Sequence, residues 1–158
     1  MSILTEVELL RRIPLFSNID TSRLKLLAFT SERLTYNQGA VLFREGDRGD
    51  SAYLILEGKV DVAVHSPTGG EDVVVASIGA NNIVGEMSLL CEMPRTATVI
   101  AAEPLDTLRI KKDQFFQLMR DLPQITLEIM RELATRLHHV NQDLSAARAK
   151  LRAAGLEQ

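Results

Sequence analysis

Between Glu32 and Lys111 the chain is cut into short β-branched and aliphatic segments by turn residues, and this rhythm limits the fold more than any other feature. The segments are Ala40 to Phe43, Ala52 to Leu56, Val60 to Val64, Val73 to Ile78, Thr96 to Ala101 and Leu105 to Ile110. Between them stand Asn37-Gln38-Gly39, Gly46-Asp47, Gly49-Asp50, Gly58, Pro67-Thr68-Gly69-Gly70 and Gly79, residue types that reverse a chain cheaply. Six or more short strands at this spacing predict an antiparallel β-roll, a jelly-roll-like barrel.

The flanks read as helix. Val7, Leu9, Leu10 and Ile13 precede Pro14, and Leu24, Leu26, Leu27 and Phe29 follow a polar stretch suited to capping, so two short helices are expected at the amino terminus. From Lys112 no glycine occurs until Gly155, and Pro123 stands where one helix ends and a longer one begins. Along that helix Met130, Leu133, Leu137, Val140, Leu144, Ala147 and Leu151 recur at alternating steps of three and four, a heptad seam. An amphipathic helix packed on its own barrel would show the same spacing. The continuation of the stripe to Leu151 favours a homodimer through this helix, with Asp143 and Arg148 meeting at the rim of a parallel pair.

Composition removes several classes of function. The length suits one domain with one core, able to bury roughly 70 % of its unfolded surface without staples, and 46 % hydrophobic with 25 % charged residues is ordinary for a folded chain. The formal charge of −3 disfavours direct nucleic-acid binding. No apolar run approaches a membrane span, and Glu6, Glu8, Arg11 and Arg12 occupy the place of a signal sequence, so a cytoplasmic protein is expected. The single cysteine, Cys91, has no disulfide partner and reads as a small filler. His65 borders a turn and His138 and His139 are adjacent in the tail helix, so no metal site of the cupin kind is expected. No nucleophile with an orienting base is visible, and the chain is not expected to be an enzyme.

One segment breaks the strand rhythm, from Gly85-Glu86-Met87-Ser88 through Arg95-Thr96-Ala97 to Val99. A glycine admits close backbone approach, and a single helical turn at Met87 to Cys91 would leave amide donors free at its start. Arg95 adds a two-pronged donor suited to phosphate oxygens. Glu86, acceptor-only when ionised, suits a hydroxyl. The layout predicts a site for a phosphate next to a sugar, with no metal and no further cofactor.

This segment closely resembles the phosphate-binding cassette of cyclic-nucleotide-binding domains, as found in catabolite-activator-type regulators, cyclic-nucleotide-dependent kinases and gated channels. The likeness extends upstream to Arg44-Glu45-Gly46-Asp47 and to Ala52 through Val60, and covers roughly Ile13 to Asn141. It implies that Glu86 takes the ribose 2′-hydroxyl, that Arg95 and Thr96 take phosphate oxygens, and that main-chain amides near Gly85, Met87 and Ser88 complete the cradle. It implies further that Val60 and Val75 line the nucleotide. Arg136-Leu137 resembles the arginine-leucine pair of the catabolite-activator dimer helix, where the arginine faces the ligand. Those proteins then place hydroxyl side chains against the base, whereas Val140 and Asn141 stand here.

The resulting expectation is a helical amino terminus plus roll over 1–121, a lid and dimerisation helix of the same domain over 122–153, and a disordered tail over 154–158. The function expected is a regulatory sensor of cyclic nucleotide, cAMP rather than cGMP, in which ligand relieves an otherwise unpaired buried Arg95 and the tail helix closes. Its partners are the nucleotide, a second copy and a protein effector. The alternative is the amino-terminal effector domain of a catabolite-activator-type transcription regulator without its DNA-binding domain, since only seven residues follow Leu151.

Overall fold

The computed structural model describes residues 2–155. The chain divides into two compact units, Met1–Leu118 and Met119–Gln158.

The first unit opens with α1 (Ile3–Arg11), capped by the Ser2 hydroxyl, which accepts from the Thr5 amide. A 3-10 turn at Pro14–Phe16 leads to α2 (Thr21–Thr30). Val7, Leu10, Phe16 and Leu24 are almost fully buried, which is why these short helices persist although neither is long enough to be stable alone.

Eight strands follow: β1 (Glu32–Tyr36), β2 (Val41–Phe43), β3 (Ser51–Glu57), β4 (Lys59–Val64), β5 (Val73–Gly79), β6 (Ile83–Val84), β7 (Thr98–Ala101) and β8 (Leu105–Lys111). They form two antiparallel four-stranded sheets, ordered β1-β8-β3-β6 and β2-β7-β4-β5. The expected β-roll is therefore present. The six segments read from sequence correspond to β2, β3, β4, β5, β7 and β8. Thr96 and Ala97 lie outside β7, and β1 and β6 are additional. A single helical turn, α3 (Glu86–Leu90), separates β6 from β7, one residue earlier than anticipated.

Tyr53, Ile55, Val60, Val84, Val99, Ala101 and Leu105 form the centre of the roll. β3 is buried at every position from Ser51 to Leu56, because it lies inside its sheet and is covered on both faces, so its sequence is continuous rather than alternating. β4 follows through Gly58 alone, whose φ of 97° belongs to glycine. A Cβ there would overlap the Pro104 carbonyl oxygen.

α4 (Lys112–Asp121) and α5 (Pro123–Ala153) end the chain, and Pro123 occupies the first turn of α5 as its missing N–H requires. Leu122, Ile125 and Ile129 are buried. Met130, Leu137, Val140, Leu144 and Leu151 are each at least 44 % exposed. Ala154 and Gly155 form a turn, and the remainder of the expected tail, 156–158, lies outside the described residues. Among the described residues no helix is long and apolar enough to cross a membrane.

Gly58→Ala should lower stability by roughly 2–4 kcal/mol, combining a left-handed backbone cost with overlap against main chain. Gly69→Ala, also at positive φ but with open space around it, should cost only about 1 kcal/mol. Urea midpoints of the two variants check the difference.

Candidate functional site

The cassette predicted from sequence is assembled around one buried cation. Arg95 is 4 % exposed. Its Nη1 donates to the Gly85 carbonyl at 2.8 Å and its Nη2 to the Ser51 carbonyl at 2.7 Å. Nε is buried without a hydrogen-bond partner. The expectation of an unpaired Arg95 thus holds for Nε alone, because two carbonyls at the edges of β3 and α3 satisfy the other two nitrogens.

The guanidinium lies over the Phe43 ring, with Cζ 4.0 Å from the ring centroid, a cation-π contact worth about 0.5–2 kcal/mol. Its main chain is tied to the preceding turn: the Arg95 amide donates to Asp47 O at 2.7 Å, and the Gly46 amide donates to Arg95 O at 2.8 Å. Burial lowers the Arg95 pKa from its usual value, while the nearby Tyr53 and the charges of Asp50 and Asp47 act in the opposite direction. No acceptor bonded to the guanidinium carries a full charge. An anion in reach of Nε would supply the compensation that neutral carbonyls lack.

Two glycines make room for this arrangement. Gly85 caps α3 in the left-handed region (φ 84°, ψ 3°), and no side chain caps the turn. A Cβ on Gly85 would stand 2.6 Å from Arg95 Nη1. A Cβ on Gly49 would overlap Ser88 Cβ and lie 3.4 Å from Arg95 Cζ. The sequence marked Gly85, but Gly49 read only as a turn former; its close approach to α3 is a tertiary demand that no local signal carries.

A second arginine braces the first. Arg109 on β8 donates from Nε to Ser51 Oγ at 3.0 Å, from Nη2 to Asp50 at 3.1 Å and from Nη1 to Glu32 at 3.1 Å. Ser51 Oγ in turn donates to Asp50 at 2.9 Å. Asp50 therefore belongs to a charge network as well as to a turn. Partial burial raises its pKa, yet the Ser51 hydroxyl and the Arg109 guanidinium outweigh that, and the net shift is below the ordinary value of 3.8. Phe43, Ser51 and Arg109 escaped the sequence reading because nothing in their local pattern distinguishes them from ordinary strand residues.

The remaining anticipated residues fall as follows. Glu86, the first residue of α3, is 2 % exposed, and Ser88 is 5 % exposed. Met87 and Thr96 are exposed beside them. Val60 is enclosed in the roll core, whereas Val75 is exposed and lies where β5 shifts register against Val62 and Ala63. In the second unit Arg136 donates to Glu132 at 2.7 Å one turn earlier, and Val140 and Asn141 are exposed. Cys91, expected as buried filler, is exposed at the end of α3, where the cassette turns back toward Arg95.

The family model described as cyclic nucleotide-binding domain matches residues 33–121. The cyclic AMP receptor protein of Thermus thermophilus is 32 % identical over 131 residues, covering 83 % of this chain and 60 % of that protein. A cGMP-dependent protein kinase of Drosophila melanogaster is 33 % identical over 121 residues, covering 75 % of this chain and 16 % of the kinase. The crystal structure of the Thermus thermophilus catabolite activator protein superposes with a TM-score of 0.75 at 31 % identity, over 85 % of this chain and 63 % of that one. The chain thus spans about three-fifths of the length of the receptor protein it matches.

Asp50→Asn tests the bracing network through pH. A carboxylate with a depressed folded pKa contributes stability in full above its unfolded value, and loses it as pH falls through the folded value. Wild-type urea midpoints should therefore fall more steeply than those of Asp50→Asn as the pH drops below about 4. The two curves should be separated by a constant offset above pH 5 or so. The effect is modest, since Asp50 is largely solvent-facing.

Proposed function

Because the chain belongs to the cyclic nucleotide-binding domain family, we propose that it is a non-catalytic sensor whose ligand is a 3′,5′-cyclic nucleotide held by Arg95 and Glu86. The observation that carries this reading is the buried Arg95 guanidinium, fixed by Gly85 O, Ser51 O and Phe43 with Nε still lacking an acceptor. A cyclic phosphate is a singly charged anion of the right size to lie against such a group. Its ribose presents a hydroxyl to Glu86, and the exposed Thr96 hydroxyl and the uncapped amides at the start of α3 take further oxygens. Val60 and Val75 are assigned to the wall beside the sugar and base.

cAMP is the proposed ligand in preference to cGMP. The Thermus thermophilus relative is named for cyclic AMP, although the kinase relative is named for cGMP. The output assigned to the module is a change in α5, with Arg136, Val140 and Asn141 meeting the ligand side as the corresponding arginine does in catabolite-activator-type proteins. Ligand binding would shift a population of conformers by the difference in its affinity for them. A protein effector, or a DNA-binding segment elsewhere in a longer chain as in the transcription-regulator reading, receives that change. This chain itself is assigned no nucleic-acid contact, and its place is taken to be the cytoplasm.

Homodimerisation through α5 belongs to the same proposal. Met130, Leu137, Val140, Leu144 and Leu151 expose large apolar side chains at heptad spacing, a surface that a second copy would cover.

At roughly a hundred times its dissociation constant, cAMP should stabilise wild type by about 2.7 kcal/mol, seen as a raised Tm. Arg95→Ala should lose most of that rise and Glu86→Gln part of it, while Arg136→Ala changes it less. A full rise in Arg95→Ala would refute the phosphate assignment, and parallel calorimetric titrations with cGMP decide the base preference. For the dimer, light scattering of Leu137→Glu/Leu144→Glu should give the monomer mass where wild type gives twice that mass.

A further inference from the structure

Outside the nucleotide cradle, the first unit has a cleft of about 420 Å³, within the range of roughly 300–1,000 Å³ typical of small-molecule sites. Its walls include Arg48, Lys112, Glu92, Gly49, Met93 and Ser88, of which Ser88 alone is shared with the cradle, there through its main-chain amide, and none of Glu86, Arg95 and Thr96. We propose that this cleft is a second ligand site, distinct from the nucleotide site, that takes a small phosphorylated polyol of the sugar-phosphate class.

Three observations converge. Ser88 is 5 % exposed, and its hydroxyl makes no hydrogen bond among the described residues, although it lines the cleft. That hydroxyl is open to the cleft and is available to donate to a bound oxygen. Two cations face the same space, the exposed Arg48 and the half-buried Lys112, and neither side chain is paired within the protein. Guanidinium, ammonium and hydroxyl together are a donor set for the oxygens of a phosphate monoester. Glu92 supplies the opposite character. It has left-handed backbone (φ 49°), a conformation that favours glycine at the end of a helical turn and is strained for glutamate. An ionised carboxylate only accepts, so it repels the phosphate end and takes the hydroxyls of a polyol, while Met93 offers apolar surface to the carbon chain. A bare anion would leave Glu92 unused.

The site is joined to the nucleotide cradle through Gly49, which lines the cleft and packs against both Ser88 and Arg95. Occupancy would tighten α3 against the 46–50 turn, so the two ligands should affect one another's affinity by one common factor, as linkage requires.

The test is calorimetric titration of the full chain with glucose 6-phosphate, with inorganic phosphate and glucose as separate arms. Glucose 6-phosphate should bind, inorganic phosphate should bind roughly tenfold more weakly, and glucose should give no heat. Arg48→Ala/Lys112→Ala, two solvent-reaching changes whose folding is checked by thermal melting, should weaken glucose 6-phosphate roughly tenfold or more. Arg95→Ala should keep glucose 6-phosphate binding while losing cAMP, which separates failure of this site from failure of the nucleotide assignment. Glu92→Gln should narrow the gap between glucose 6-phosphate and inorganic phosphate. Absence of binding to wild type, undiminished binding to the double variant, or mutually exclusive binding, in which saturating cAMP abolishes glucose 6-phosphate binding altogether, would each overturn the proposal. Equal affinity for inorganic phosphate and glucose 6-phosphate would show an adventitious ion only, and would overturn it as well.

Discussion

The burial of one guanidinium organises the middle of this molecule. Taking Arg95 out of water costs several kcal/mol unless its donors are met, and the protein meets Nη1 and Nη2 from two directions, with the carbonyl of Gly85 ahead of α3 and the carbonyl of Ser51 at the head of β3, while Nε stays without an acceptor. The cation therefore clamps a single helical turn to the strand that is buried along nearly its whole length. Phe43 covers one face of the clamp. The close approach of Gly49 and Gly85 follows directly, since a methyl group at either would collide with the arginine or with α3. Two glycines, two carbonyls and an aromatic ring are thus consequences of one buried charge.

Neutral carbonyls satisfy the geometry of that charge without neutralising it. The negative charge nearest in the network belongs to Asp50, which the Arg109 guanidinium and the Ser51 hydroxyl already engage. Arg109 also reaches Glu32, so β1, β8 and the head of β3 share one ionic network. This arrangement fixes the position of Arg95 in advance. Were an anion to bind there as proposed, its ordering cost would be lowered, because the guanidinium is already held in place.

What could be read from the chain depended on how local each cause was. β2, β3, β4, β5, β7 and β8 were visible as apolar runs between glycine-rich turns, because side-chain alternation and turn chemistry are properties of neighbouring residues. β1, with the sequence Glu-Arg-Leu-Thr-Tyr, is held by pairing with β8 and by ion pairs of Arg33 with Asp106 and Glu32 with Arg109, which are far apart in sequence. β6 has two residues, too few to show a period. At the site, Gly85, Glu86 and Arg95 announced themselves because they sit within eleven positions of one another in an interrupted strand pattern. Phe43, Gly49, Ser51 and Arg109 did not, since each acts across the fold. The exposure of Cys91 was equally beyond local reading, because it depends on how distant segments pack.

The cassette is bounded by two residues in left-handed backbone, Gly85 at its start and Glu92 near its end. For Gly85 the reason is steric and costs little, because glycine visits that region freely. For Glu92 there is a penalty of roughly 1–2 kcal/mol, held in place by the bonds that close the segment on either side, Met93 N to Ser88 O and Arg95 N to Asp47 O. A short helix pinned at both ends in this way has little freedom to deform internally. Force applied at Arg95 or at Ser88 is then passed to the 46–51 segment, which is bonded to Arg95 through both its main chain and its guanidinium, and from there into β3. That route lies in main chain and hydrogen bonds, not in side-chain packing that a substitution could quietly replace.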